Sequence, residues 1–346
     1  MTQENKDILL KLLKQHKELG ISEQIDYEKF YLYSLITHST AIEGSTITEL
    51  ENQIMFDHGV SLKGKSIEEQ CMNLDLKCAY EKAIELAKQH QPFTTEMLVS
   101  LSALVMKNTG SEYKTALGDF SSARGELRLL NVTAGVGGRS YMNYSKVPAK
   151  LAEFCKRLNA KRAKAAGMSV DELYQLSFDA HYNLVTIHPW ADGNGRMARL
   201  VMNMLQFEFG LIPTKILKED KEDYIKALVA TRENDNLDIF RGYMTSMMEQ
   251  NLQNEITAYL DSIGDKIGSE KTTEGGEKTA KSREKIVALL AQDGKLSAAA
   301  LAKQIGLSAK TIEKHLAKLK ADGTIERIGP AKGGYWKVKQ HSLTLS

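Results

Sequence analysis

Residues 188–199 read HPWADGNGRMAR, a run in which one proline and two glycines restrict or free the backbone. His188 stands before Pro189, and because the residue before a proline avoids α geometry, the preceding helix should end there. The glycines of the Asp-Gly-Asn-Gly run permit a tight loop with unusual backbone angles. A second helix is expected to begin near Asn194 and to continue through an apolar run. The stretch therefore predicts two helices joined by a sharp loop.

The start of the second helix has the composition of a site for a phosphorylated ligand. Backbone N–H groups from Gly193 onward lie at the positive end of the helix dipole, where they can form a nest for an anion. Arg196 and Arg199 add guanidinium groups that suit phosphate oxygens. Asp192 can ligate a Mg²⁺ ion that bridges phosphates, and His188 can act as a general base near neutral pH. Such a set can perform phosphoryl or nucleotidyl transfer.

The same stretch resembles the signature of the Fic family, H-x-F-x-[D/E]-G-N-G-R-x-x-R, with Trp190 standing where the family usually has Phe. Fic proteins move AMP from ATP to a Ser, Thr or Tyr hydroxyl of a target protein and release pyrophosphate. The resemblance implies that His188 deprotonates this hydroxyl, that Asp192 holds Mg²⁺ between the α- and β-phosphates, and that Arg199 holds the γ-phosphate. It places the rest of the phosphate site at Gly193, Asn194, Gly195 and Arg196.

Two further assignments follow from the resemblance. The segment at about 127–142 contains β-branched residues and a GVGG turn, which predict a hairpin. This hairpin is similar to the family flap, which holds the target segment by strand addition. Tyr224 lies where family members often contact the nucleobase. Because an aromatic residue on an amphipathic helix is also a usual core residue, that alternative stays open.

A second Fic pattern, [S/T]-x-x-x-E-[G/N], is present at STAIEG, residues 39–44. Ser39 and Glu43 are four residues apart and therefore lie on one face of a helix. The resemblance implies that Glu43 pairs with Arg199 and removes it from the γ-phosphate, so that ATP binds in an unproductive pose. On this interpretation residues 27–44 form an inhibitory helix ahead of the catalytic core.

Residues 283–346 form a separate pattern with 12 lysines and arginines against five acidic residues, a net charge of +7. Three short helical segments followed by a hairpin with a Gly-Gly turn predict a winged helix-turn-helix domain. Its recognition helix should begin near Ser308. Lys310, Thr311 and Lys314 are the candidate contacts with duplex DNA. Winged helices also serve as protein-docking modules, which leaves a second use for this domain.

The predicted fold is mainly α: a helical Fic fold with a small hairpin flap, joined to a winged helix-turn-helix domain. Residues 1–114 should form an N-terminal helical region and residues 115–262 the Fic catalytic core. Residues 263–282 carry few apolar side chains and cannot form a core of their own. They are therefore predicted to be a flexible linker before the domain at 283–346.

The composition excludes several classes of protein. With 42% hydrophobic and 26% charged residues, the chain is neither disordered nor collagen-like. No apolar run is long enough for a membrane-spanning helix, and charges interrupt the N-terminal segment too often for a signal peptide. Three cysteines without a CxxC pair favour free thiols in a reducing compartment, which indicates the cytoplasm.

The sequence thus predicts a self-inhibited, Mg²⁺-dependent protein adenylyltransferase that uses ATP. Its expected partner is a target protein with a reactive hydroxyl, which can be the enzyme itself. Because Fic cores often pair, a homodimer is compatible with the resemblance. Two alternatives stay open: a DNA-binding regulator whose Fic core senses nucleotide without transferring AMP, and an enzyme that removes AMP from the target. The presence of the base His188 favours an enzyme over a sensor.

Overall fold

The computed structural model describes residues 3–133, 140–270, 285–287, 289–291, 293–305, 312, 315–317, 319–320, 324–329 and 335–338. They fall into two compact units, Met1–Thr257 and Ala258–Ser346. Helices dominate the described residues, with two small antiparallel sheets, as the sequence predicts. Within the described residues, no helix has the length and apolar character needed to cross a membrane.

The helices that lie in the first unit, or begin in it, agree with the sequence patterns. They are α1 (Gln3–Glu18), α2 (Tyr27–Ile42), α3 (Glu49–His58), α4 (Ile67–Lys88), α5 (Thr95–Val105), α6 (Val147–Arg162), α7 (Val170–Ile187), α8 (Asn194–Glu208), α9 (Lys221–Glu233) and α10 (Leu237–Glu270). The last of these continues into residues 263–270, which the sequence assigns to the linker. A shortage of apolar residues excludes a core there, but a helix whose backbone bonds are internal needs no core.

Local hydrogen bonds explain where these helices begin and end. Thr48 and Ser66 start α3 and α4 as capping boxes, each exchanging hydrogen bonds with the glutamate three residues later. At the C-terminal end of α2, Gly44 has φ +112°, a backbone angle that glycine adopts readily. The chain therefore leaves α2 directly after Glu43, which fixes that side chain at the last turn of the helix.

Helix α8 lies at the centre of the first unit. Every residue from Arg196 to Gln206 is buried, and α8 packs mainly against α7 and α4. Its buried amides are bonded across the core: Asn203 accepts from the Tyr80 hydroxyl (2.7 Å), and Gln206 donates to Ser177 (3.0 Å). Because a buried polar group is costly when unpaired, these bonds fix the helix along its length. The loop before α8 is thus held on a rigid element.

Two hairpins accompany the helices of this unit. Strands β1 (Glu112–Thr115) and β2 (Gly118–Ser121) pair in antiparallel register and were not predicted, because four residues show little alternation. The predicted hairpin at 127–142, called the flap here, is confirmed by a bridge between Thr133 and Ser140. Its turn, residues 134–139, is outside the described residues.

The second unit contains elements of the predicted winged helix. These are α11 (Ala298–Ile305), β3 (Ile325–Ile328) and β4 (Tyr335–Val338), with the strands antiparallel. Ser297 caps α11 by accepting from the Ala300 N–H at 3.2 Å. Ile286, Leu301, Ile312 and Leu316 contribute to a small core of this unit. The candidate DNA contacts Lys310, Thr311 and Lys314 are outside the described residues.

Candidate active site

The loop between α7 and α8, residues 188–193, is called the catalytic loop here. His188 ends α7 with φ +51° and ψ +64°, left-handed values that are uncommon for a residue other than glycine. Its N–H still closes the helix on Leu184 at 3.0 Å, while its ring Nδ1 lies 3.3 Å from the Val185 carbonyl. A proton on Nδ1 would satisfy that carbonyl and leave Nε2 as the basic nitrogen.

The surroundings of His188 favour its neutral form. Burial and the positive charge of Arg128 lower the pKa of His188 to about 4, although the bond to Val185 opposes this shift. Tyr141 of the flap stacks on the imidazole with ring centroids 3.7 Å apart. The side chain is therefore uncharged at neutral pH and able to accept a proton.

The first turn of α8 presents its backbone to the same region. Gly193 has φ +79°, and its N–H donates to Asp192 Oδ1 at 2.6 Å. The Asn194 side chain closes the loop, since its amide exchanges hydrogen bonds with the backbone of Trp190 at 2.9 and 3.1 Å. We therefore assign the predicted phosphate contact of Asn194 to its backbone N–H, because its side chain takes part in closing the loop.

Arg196 is a buried cation with incomplete pairing. Its side chain is 3% exposed, and its Nη2 lies 3.1 Å from Met106 Sδ, a weak acceptor. Its Nε and Nη1 have no hydrogen-bond partner among the described residues, and the Asp192 carboxylate lies 3.8 Å from Nη2. Burial lowers the pKa of Arg196. An anion in this place would satisfy donors that are otherwise costly to bury.

Arg199, one turn further along α8, is paired with residues of α2 and its C-cap through Nε and Nη2. Its Nη2 donates to Glu43 Oε1 at 2.5 Å and to the Ser39 carbonyl at 3.0 Å, while its Nε donates to Ser39 Oγ at 2.8 Å. Burial disfavours the charge of Arg199, but the carboxylate more than offsets this, so its pKa is raised. The structure thus brings Arg199 together with Ser39 and Glu43, the two residues singled out in the second Fic pattern.

Glu43 also reaches the helix N-terminus. A Cβ on Gly195 would lie 2.9 Å from Glu43 Oε1 and 3.1 Å from Arg199 Nη1, so a glycine is needed for this approach. Burial opposes ionisation of Glu43, but Arg199, and to a lesser extent Arg196, lower its pKa. The anion that lies against the first turn of α8 is therefore a carboxylate of the chain itself.

Asp192 is suited to a shared metal site. Its side chain is 58% exposed, and one of its oxygens is bonded to the Gly193 N–H. Among the described residues, no group of three His, Cys, Asp or Glu side chains could hold a metal ion. Mg²⁺ is commonly bound through one or two carboxylates with substrate phosphates and water as the other ligands. The single exposed carboxylate of Asp192 fits this mode of Mg²⁺ binding.

The position of Tyr224 corrects one prediction. Its ring is 2% exposed, and its hydroxyl lies 3.0 Å from His181 Nε2, so it has no surface to offer a nucleobase. Tyr224, Ala227 and Thr231 form the buried face of α9. The neighbouring Ile225 is on the other face, 45% exposed. Helical spacing could have identified this, because adjacent residues differ by about 100° around a helix.

The exposed face of α9 lines a cavity of about 490 Å³. Its walls come from α7, α9 and the flap, and they include Tyr141, the residue that stacks on His188. By exposed area its wall is mostly apolar, but polar and basic side chains line it as well, among them Lys146, Lys150 and Arg232. The lining residues from α9 are Ile225, Leu228, Val229 and Arg232. Such a pocket suits a flat aromatic ligand beside the catalytic loop.

Two parts of the chain match known families. Residues 92–206 match the model of the Fic/DOC family, and residues 280–326 match that of winged helix-turn-helix DNA-binding domains. The chain is 27% identical over 246 residues to "Protein adenylyltransferase fic-1" of Caenorhabditis briggsae, covering 70% of this chain and 45% of that protein. It is 28% identical over 225 residues to "Protein adenylyltransferase Fic" of Drosophila melanogaster, covering 64% and 41%. The chain spans about half the length of these curated relatives.

Solved structures show the same fold. A Fic domain containing signaling protein from Bacteroides thetaiotaomicron superposes with a TM-score of 0.62 at 20% identity, covering 73% of this chain and 98% of that one. A Fic family protein from Desulfovibrio desulfuricans superposes with a TM-score of 0.54 at 17% identity, covering 99% and 97%. The first likeness supports the fold of the larger unit, and the second extends over both units.

Proposed function

We propose that this chain, which contains a Fic domain followed by a winged helix-turn-helix domain, is a protein adenylyltransferase that moves AMP from ATP to a hydroxyl of a target protein. The observation that carries the proposal is Arg196, whose buried guanidinium has two nitrogens without a hydrogen-bond partner beside the N-terminus of α8. A phosphate would satisfy both the cation and the free backbone N–H groups. The relatives named protein adenylyltransferase support the same reaction.

The residues divide the chemistry between them. His188, neutral at physiological pH, takes the proton from the target hydroxyl, whose oxygen then attacks the α-phosphorus of ATP. The bond from the α-phosphorus to the bridging oxygen breaks, and pyrophosphate leaves with that oxygen. The backbone N–H groups of Asn194 and Gly195 and the Arg196 guanidinium stabilise the charge that develops on the phosphate oxygens, whereas the Gly193 N–H donates to Asp192. Because these groups are held in place by α8, little rearrangement is needed during the reaction.

We further propose that Asp192 would hold Mg²⁺ together with the phosphates. The ion would neutralise charge on the triphosphate and assist the departure of pyrophosphate. Binding of the adenine ring in the cavity lined by Tyr141, Ile225 and Leu228 is supported by its apolar walls. The flap, which contributes Tyr141, would hold the target segment by backbone pairing.

The chain is proposed to inhibit itself through Glu43. Its carboxylate pairs with Arg199 and lies against Gly195, so it competes with a phosphate for the same donors. While Arg199 is bound to Glu43, it cannot hold the γ-phosphate. Loss of this carboxylate should therefore free Arg199 and increase AMP transfer.

Self-labelling with α-phosphate-labelled ATP and Mg²⁺ tests these proposals together. The comparison is between the wild type, Glu43→Gly, and Glu43→Gly combined with His188→Ala. Label in the single variant alone would support transfer, the base and the inhibition. Glu28→Gly is a matched control at the opposite end of α2 and should label as the wild type does.

Two outcomes would contradict the proposal. Absence of label in every variant, with ATP still bound, would favour a regulator that senses nucleotide. Release of AMP from a pre-modified target by the wild type would favour an enzyme that removes AMP. Equal labelling of wild type and Glu43→Gly would leave transfer standing but contradict the inhibitory role of Glu43.

The second unit supports a further partner, duplex DNA. The match to winged helix-turn-helix DNA-binding domains covers residues 280–326, and residues 283–346 carry a net charge of +7. Basic groups that neutralise phosphates release counterions, so the affinity should fall steeply as salt rises. Fluorescence anisotropy with labelled duplex DNA at several salt concentrations measures this. Absence of affinity even at low salt would contradict DNA binding by this domain.

A further inference from the structure

Arg128 connects the flap to the catalytic loop. Its side chain is 1% exposed, and its guanidinium donates to three backbone carbonyls: Nε to His188 (2.7 Å), Nη1 to Leu130 (2.8 Å) and Nη2 to Met142 (2.5 Å). Its own N–H donates to the Pro189 carbonyl at 3.1 Å. One side chain thus joins both sides of the flap to the residue that carries the proposed base.

The partners of Arg128 are unusual for a buried cation. Among the described residues it forms no ion pair with a carboxylate, and burial alone lowers its pKa. A buried charge satisfied only by neutral carbonyls is costly compared with an apolar side chain of similar size. What the guanidinium offers in return is geometry, because its fixed fork can bond three acceptors in different directions. Lysine, with one flexible ammonium, cannot reproduce that arrangement.

We infer that Arg128 is a positioning residue that sets the place of the flap relative to His188, and thereby the place of the target hydroxyl. This inference rests on the proposed transferase function. A target segment paired with the flap moves with it, so the distance from its hydroxyl to the base depends on how the flap is attached. Leu130 and Met142 lie on opposite sides of the flap, and Arg128 ties both to the His188 carbonyl.

Arg128 acts on His188 in a second way. Its charge is one of the causes that lower the pKa of the imidazole, after burial, while Tyr141 covers the ring from the flap. The two effects can be separated by substitution. Arg128→Lys keeps a positive charge but loses the fork, whereas Arg128→Met loses both. If Arg128 only supported the fold, these two substitutions would not separate the effect on the flap from the effect on the pKa of His188.

The kinetic experiment uses the Glu43→Gly background, in which transfer is measurable. We expect Arg128→Lys and Arg128→Met to lower the kcat/KM for the target about tenfold or more, because misplacing a reactant by about 1 Å slows the chemical step. Binding of the triphosphate through Arg196 and the first turn of α8 should persist, because the hydrogen bonds of Arg128 go to neither of them. Arg124→Met is the matched control, because Arg124 is an exposed arginine paired with Glu112 and Glu126.

A second measurement does not depend on activity. Histidine NMR titration of the full chain should show a higher pKa of His188 in Arg128→Met than in Arg128→Lys or the background. Thermal melts identify any variant that has lost its fold. The Lys variant, as the milder change, keeps the test decisive if the Met variant unfolds.

The outcomes distinguish this inference from the function on which it rests. Absence of transfer in the Glu43→Gly background itself would overturn the proposed function. An active background in which both Arg128 variants keep the kcat/KM for the target would overturn the positioning role alone. The same holds if this kcat/KM falls only in proportion to a loss of thermal stability, because that result is typical of general unfolding.

Discussion

The exchange of Glu43 for glutamine should destabilise the protein when no nucleotide is present. Arg199 is buried, and Glu43 is the only carboxylate bonded to it among the described residues. Breaking a fully buried ion pair costs about 3–5 kcal/mol. The Glu43 side chain is 31% exposed, and both Ser39 bonds remain, so we expect about 1–3 kcal/mol here. For a unit of this size, each kcal/mol lowers the Tm by about 2–4 °C.

ATP should reverse that loss. Without the carboxylate, Arg199 and the first turn of α8 are both available to the triphosphate. A ligand at about 100 times its Kd stabilises the native state by about 2.7 kcal/mol. The ATP-induced rise in Tm should therefore be larger in Glu43→Gln than in the wild type. Differential scanning fluorimetry with and without ATP measures both quantities, and Glu112→Gln, which breaks an exposed pair with Arg124, should change neither.

The pH dependence gives an independent check. The pKa of Glu43 is lowered in the folded state, so its pairing stabilises the protein fully above the unfolded value, about 4.3. This contribution is lost as the pH falls through the folded pKa. The Tm difference between wild type and Glu43→Gln should therefore be present at pH 7 and decrease in acid. A variant as stable as the wild type at pH 7, with no larger response to ATP, would refute the reasoning.

Two further predictions concern the base of the flap. Gly125→Ala should cost about 3 kcal/mol or more, because its Cβ would lie 2.1 Å from the Val99 carbonyl and its φ is +68°. Gly167→Ala, in open space, is the control, and equal urea midpoints for the two would contradict the clash. Trp190→Phe should cost about 1–3 kcal/mol, since the indole N–H donates to the buried Gly125 carbonyl at 2.9 Å. An unchanged midpoint for this variant would show that the carbonyl finds another donor.

The sequence predicts the catalytic loop and the helices beside it because the candidate site residues are close together in the sequence, at 188–199. Proline after His188 and glycines before α8 dictate the loop locally, and the structure has the helix boundaries where they are expected. The approach of Glu43 to Arg199 could be predicted only through a family pattern, because 156 residues separate them. The contact is present, and its inhibitory effect remains a prediction.

Other features could not be read from the sequence. Arg128 stands in a segment with β-branched and glycine residues, and nothing local indicates that it bonds the catalytic loop 60 residues later. The weak contact between Met106 and Arg196 likewise depends on tertiary packing. The nucleobase contact of Tyr224 was predicted for a different reason, namely the resemblance to the family. In the structure the period of α9 buries Tyr224 and turns Ile225 toward the cavity.

Three buried arginines near the catalytic loop differ in what balances their charge. This difference indicates where an anion would bind. The charge of Arg199 is balanced by a carboxylate, and the Arg128 guanidinium donates to three carbonyls, so both side chains have partners within the chain. Arg196 alone keeps two nitrogens without a hydrogen-bond partner among the described residues. An anion that binds there gains the full energy of donors already desolvated and fixed in place. Glu43 lies against the same turn of α8 at Gly195, so we predict that an anion bound there competes with this carboxylate.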